Sequence, residues 1–105
     1  MKVLFICNQN ENRSKTAEEL FKGKFETKSA GLYNENSVSS SELSWSNLIV
    51  VMEESQREEL SKRFPDIYLQ KQIISLNIPD IYKYNQNELI TLLHMKFNEI
   101  IQSIH

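Results

Sequence analysis

The chain predicts an open α/β fold, a single domain built on a four-stranded parallel sheet in the order 2-1-3-4 with helices on both faces. Three observations carry this expectation. Short apolar runs without polar alternation recur along the chain, as in strands buried on both sides. Between them lie stretches with apolar residues at helical spacing, so strand and helix alternate as in right-handed βαβ units. A length of 105 residues supplies one core of this kind and leaves no room for a second domain.

Lys2 to Ile6 is apolar on both faces and predicts a central strand. Ala17, Leu20 and Phe21 then recur at helical steps, with Glu18 and Glu19 toward the positive end, which predicts a helix from Ser14 to Lys24 fraying at Gly23. Glu26 to Ala30 reads as a short second strand closed by Gly31, and the Asn- and Ser-containing residues after it as a loop. Ser39 to Trp45 is expected as a short helix and Leu48 to Met52 as the third strand. Ser55 to Phe64 follows as a charged helix stopped by Pro65. Gln72 to Leu76 gives the fourth strand, Asn77 to Tyr84 an irregular connection, and Asn87 to Ile104 a final helix. The stripe of that helix, Leu89, Leu92, Leu93, Phe97, Ile100, Ile101 and Ile104, suits one face of the sheet.

Composition narrows the function classes. With 40% hydrophobic residues and only two glycines and two prolines, the chain is not a disordered tract. Its single cysteine excludes an internal disulfide framework, and Met1 to Ile6 is too short an apolar run for a signal peptide or membrane span, so a reducing cytoplasm is the expected setting. A formal net charge of −2 gives no general attraction to nucleic acid or an anionic membrane, and neither is an expected partner. Any anion site must be local.

Such a site is written in Cys7 to Ser14, CNQNENRS, between the first strand and the first helix. A lone cysteine after an apolar run is ordinarily a small buried hydrophobe. Here an arginine and a serine follow it after five intervening residues, a spacing that lets the loop wrap a tetrahedral anion and return a guanidinium to its rim. Loop N–H groups and the helix N-terminus attract a phosphate or hold a thiolate. Cys7 would then attack phosphorus from below while the planar fork of Arg13 holds two phosphate oxygens. Asn8, Gln9, Asn10, Glu11, Asn12 and Ser14 are the expected phosphate-binding and supporting residues.

A leaving alkoxide or phenolate needs a proton, which calls for a carboxylic acid above the loop. The tetrapeptide Pro-Asp-Ile-Tyr occurs twice, at Pro65 to Tyr68 and Pro79 to Tyr82. Ligands of open α/β sheets sit beyond the carboxyl ends of the strands, where Asp80 follows the fourth strand and Asp66 precedes it. Asp80 is therefore the expected acid, although an aspartate after proline is otherwise an ordinary turn residue. Tyr82 and Tyr84 are the expected walls of a substrate pocket, or alternatively lids on the core. His94 and His105 lack metal-ligand spacing, and neither metal nor cofactor is expected.

Taken together, these residues resemble the low-molecular-weight protein tyrosine phosphatases, in particular the short bacterial predicted protein tyrosine phosphatases, over most of the chain. The resemblance implies a flavodoxin-like fold and metal-independent hydrolysis of a phosphate monoester, phosphotyrosine foremost, through a phosphocysteine. It implies Cys7 as nucleophile, Asn10 as loop brace, Arg13 as phosphate ligand, Ser14 as the hydroxyl that steadies the thiolate, and Asp80 as general acid and base. The partner would be a phosphorylated protein or a small phosphate ester. Ser29, Ala30 and Gly31 look like the Ser-Ala-Gly of the family, and Met52 to Ser55 like its segment after the third strand, with Glu53 where aspartate is usual. Gln9 replaces a glycine, which demands a less permissive backbone; Glu11 puts a carboxylate in the anion loop, and Ile81 replaces a proline. The chain is also short between Gly31 and Leu48, where the family builds part of its pocket. Competing readings are a cysteine phosphoryl carrier, whose loop lacks the arginine, an arsenate reductase, which needs further cysteines, and a non-catalytic anion-binding module.

Overall fold

The computed structural model describes residues 1–104. The expected placement of His105 lies outside the described residues, as does the side chain of Ile104 at the end of the apolar stripe. The chain runs β1 (Lys2–Cys7), α1 (Arg13–Phe21), β2 (Glu26–Gly31), α2 (Ser40–Trp45), β3 (Leu48–Val51), α3 (Glu54–Arg63), α4 (Pro65–Gln70), β4 (Gln72–Ser75) and α5 (Asn87–Ile104). The four strands are parallel in the order β2-β1-β3-β4. The expected topology is thus observed, with element ends displaced by a few residues.

Strand alternation divides the core into two layers. Val3, Phe5, Leu48 and Val50 face one side, where Ala17 and Phe21 of α1 and Leu89, Leu93 and Phe97 of α5 cover them. Leu4, Ile6, Ile49 and Val51 face the other, beneath Leu43 of α2 and Leu60 of α3. β3 is buried throughout and β1 from Val3 onward, which is why these stretches show no polar alternation. Phe97 anchors the first layer, with its ring 5.5 Å from Phe5 and 4.6 Å from Phe21 between centroids.

One element departs from expectation. Pro65 ends α3 but also opens α4 at its first position, where a missing N–H costs nothing. Ile67 and Tyr68 of α4 then pack against the second layer. The segment after β2, expected as plain loop, also contributes to that layer through Leu32 and Val38, and Val38 N–H donates to Gly31 O. Among the described residues, no helix is long and apolar enough to cross a membrane.

Candidate active site

β1 delivers Cys7 to the carboxyl edge of the sheet, and residues 8–12 loop from there to the N-terminus of α1. The course of this loop is set from below. Asn8 O accepts from Leu32 N–H at 3.0 Å and Tyr33 N–H at 2.9 Å, so the chain after β2 passes directly beneath it. Gly31 permits that approach, since a Cβ there would lie 3.0 Å from Asn8 O and 2.7 Å from Asn34 Oδ1. The single loop residue with positive φ is Asn10, at 56°, a conformation asparagine tolerates. Gln9 therefore needs no glycine-like backbone, and its departure from the family pattern is accommodated.

Among the described residues, the N–H groups of residues 8–12 donate to no other residue. They border a small cavity of about 40 Å³ lined by Cys7, Asn8, Gln9, Glu11, Asn12, Arg13 and Asp80. Cys7 is buried at its base, with Ser14 Oγ 2.9 Å from its sulfur. Ser14 lies in turn 2.8 Å from Asn10 Oδ1. With the thiol neutral, Cys7 donates to Ser14 and Ser14 to Asn10. A thiolate only accepts, so with Cys7 ionised the Ser14 O–H donates a hydrogen bond to sulfur and Asn10 must turn its amide nitrogen toward the serine oxygen.

Arg13 is the largest fully buried side chain. Its Nη1 forms an ion pair with Glu53, the N-cap of α3, and donates to Ile78 O at 2.7 Å. This leaves Nε and Nη2 without a hydrogen-bond partner among the described residues, and Nε lies 3.7 Å from Asp80 Oδ1. One edge of the guanidinium is anchored and the other is presented to the cavity that Asp80 shares. Asp66 lies in the first turn of α4, ahead of β4, and does not line that cavity.

Glu11 is exposed on the rim. It separates two larger grooves, one reaching Tyr33, Asn34 and Glu35, the other reaching Tyr84. Tyr33 and Tyr84 are both exposed, whereas Tyr82 is partly buried and packs on the first core layer. Asn12 occupies the N-cap of α1 but makes no side-chain cap; its Oδ1 accepts instead from Tyr84 N–H.

Two supporting residues went unnoticed in the sequence. Gln56 is buried in α3; its Oε1 accepts from Met52 N–H at 2.7 Å and Glu53 N–H at 3.0 Å, while its Nε2 donates to Asn8 Oδ1 at 3.0 Å. The Glu-x-x-Gln spacing of Glu53 and Gln56 is a helix-start signal that would have found it. Thr16, wholly buried, carried no comparable signal. His94 is exposed and stacks edge-on to Phe21. Among the described residues, no three His, Cys, Asp or Glu side chains are grouped to hold a metal.

Solved structures share this fold along their length. The tyrosine phosphatase Wzb from Escherichia coli K30, solved with phosphate, superposes with a TM-score of 0.77 at 20% identity, over 99% of this chain and 98% of its own. The low-molecular-weight protein tyrosine phosphatase of Streptococcus pyogenes gives 0.79 at 15% identity, over 99% and 93%. The fold is that of the low-molecular-weight protein tyrosine phosphatases. The YwlE arginine phosphatase from Geobacillus stearothermophilus has the same fold, with a TM-score of 0.73 at 18% identity over 97% and 93%. No protein-family model matches the chain, and no curated protein sequence does.

Proposed function

We propose that the protein hydrolyses phosphate monoesters through a phosphocysteine formed on Cys7. The observation that carries this is one small cavity in which Cys7 lies beneath unpartnered loop N–H groups, a free edge of Arg13 and the carboxylate of Asp80. In the first step the Cys7 thiolate bonds to phosphorus, the ester P–O bond breaks, and the leaving oxygen takes a proton from Asp80. In the second, water attacks phosphorus, gives its proton to the Asp80 carboxylate, and the P–S bond breaks to restore the thiolate. Loop amides and Arg13 stabilise the charge on the equatorial oxygens in both steps. Ser14 stabilises the sulfur whenever it is anionic.

The favoured substrate is an aryl phosphate such as phosphotyrosine on a protein, because exposed Tyr33 and Tyr84 flank the rim on either side of Glu11. Structural neighbours bear the names of tyrosine and of arginine phosphatases, so turnover on matched phosphotyrosine and phosphoarginine peptides assigns the class. The decisive experiment is hydrolysis of para-nitrophenyl phosphate without added metal. Parent protein should turn it over, with or without chelator, and Cys7→Ser should bind phosphate without turnover. Activity that survives the substitution, or that chelator removes, excludes the phosphocysteine route.

A further inference from the structure

The segment carrying Asp80 crosses the cavity mouth as a strap, and both of its ends are tied down. At one end buried Ile78 donates its N–H to Met52 O at 2.8 Å and accepts from Arg13 Nη1 at 2.7 Å. At the other, two successive backbone N–H groups dock on the start of α1: Tyr84 on Asn12 Oδ1 at 3.0 Å, and Asn85 on Thr16 Oγ1 at 2.8 Å. Asn85 reaches Thr16 by adopting a left-handed backbone with φ 61°. Between the ties Asp80 and Ile81 are exposed, at 55% for the aspartate side chain and 72% for Ile81. Among the described residues, the one charged group beside the Asp80 carboxylate is Arg13 Nε, 3.7 Å from Oδ1, too long for a hydrogen bond to fix it over Cys7.

Thr16 is suited to act as a mooring. Its hydroxyl proton goes to Asn12 O at 2.7 Å, one turn back, which leaves the oxygen lone pairs directed to the Asn85 N–H. The side chain is wholly buried, so the oxygen has no water to trade partners with. The same turn of α1 thus supplies Arg13 for one end of the strap and Thr16 for the other.

We infer that Thr16 is a positioning residue for the general acid: by mooring the far end of the strap, it holds Asp80 where a leaving-group oxygen emerges. This rests on the acid role given to Asp80 above. Losing the mooring lets the strap lift, so proton delivery suffers while the anion loop stays built. The damage should therefore grow with the leaving group's need for a proton.

The test compares kcat/KM for para-nitrophenyl phosphate, a good leaving group, and phenyl phosphate, a poor one. Thr16→Val, which keeps the shape and removes the oxygen, should cost phenyl phosphate about tenfold more than para-nitrophenyl phosphate, a tenth of the lower end of the roughly hundredfold to ten-thousandfold range of general-acid effects. Inhibition by inorganic phosphate should stay near the parental value, and Thr16→Ser should restore the parental ratio. In an Asp80→Asn background Thr16→Val should cause no further selective loss, because the group it positions is already gone. Should the valine variant not fold, Thr16→Ala removes the same oxygen and is measured in its place. An equal loss on both esters, or a selective loss that persists without Asp80, overturns the inference and makes Thr16 merely structural. If Asp80→Asn itself leaves the ester ratio unchanged, the acid assignment is what fails, and the inference falls with it.

Discussion

At the scale of single residues, the proposed chemistry asks Arg13 to divide its side chain between an anchor and a task. Arg13 gives Nη1 to Glu53 and Ile78, and in the proposed mechanism its remaining edge holds phosphate. A lysine has one ammonium and cannot do both. Arg13→Lys should lower kcat/KM by on the order of a hundredfold to a thousandfold, the usual cost of losing a transition-state donor, despite the retained charge. Near-parental turnover would make Arg13 a structural residue. Glu11 has no anchor and stands exposed on the rim. Two unit charges a few ångströms apart in water interact by roughly 1 kcal/mol, so Glu11→Gln should tighten phosphate inhibition severalfold at low salt and less at 0.15 M, where screening sets in at about 8 Å. An inhibition constant unchanged at low salt would mean the carboxylate stands away from the bound anion.

At the scale of elements, the sheet decides which of two identical tetrapeptides lies at the Cys7 cavity. Asp80 leaves the carboxyl end of β4 and enters the Cys7 cavity, while Asp66 begins α4 on the far side of that strand. Asp80→Asn should therefore lower turnover of a poor leaving group more than that of a good one, within the roughly hundredfold to ten-thousandfold range of general acid catalysis. Asp66→Asn should leave both rates parental; the reverse pattern would remove the acid role from Asp80. α3 contributes differently, by bracing the loop through Gln56. Gln56→Ala leaves Met52 N–H and Asn8 Oδ1 without their buried partner, a change expected to cost about 1–3 kcal/mol. Urea unfolding measures it, and a midpoint equal to the parent's would mean water replaces the amide.

At the scale of the whole molecule, both core layers share the same two central strands, so the loop of residues 8–12 is fastened to the strand that both layers bury. Phosphate binding should then stabilise the entire fold: a hundredfold excess over Kd contributes about 2.7 kcal/mol, or a rise in Tm on the order of 10 °C for a domain of this size. Cys7→Ser should keep that rise and Arg13→Lys should lose most of it; a Tm indifferent to phosphate would separate the loop from anion binding. What the sequence by itself determined were the features written in local chemistry: the buried strands in their apolar runs, α5 in its stripe, and the Cys7 to Ser14 loop in its spacing. Tertiary structure decided the rest. Pro65 has the chemistry of both a helix stop and a helix start, and only Ile67 and Tyr68 meeting the second core layer made α4. Asn10 rather than Gln9 took the left-handed position, and Tyr82 packed against the first core layer while Tyr84 stayed exposed. The ties of Arg13 to Ile78 and of Thr16 to Asn85 join residues 65 and 69 positions apart. Their partners include backbone N–H and C=O groups, which every residue but proline carries alike, so no side-chain pattern marks which of them will dock. The path of the folded chain makes that choice.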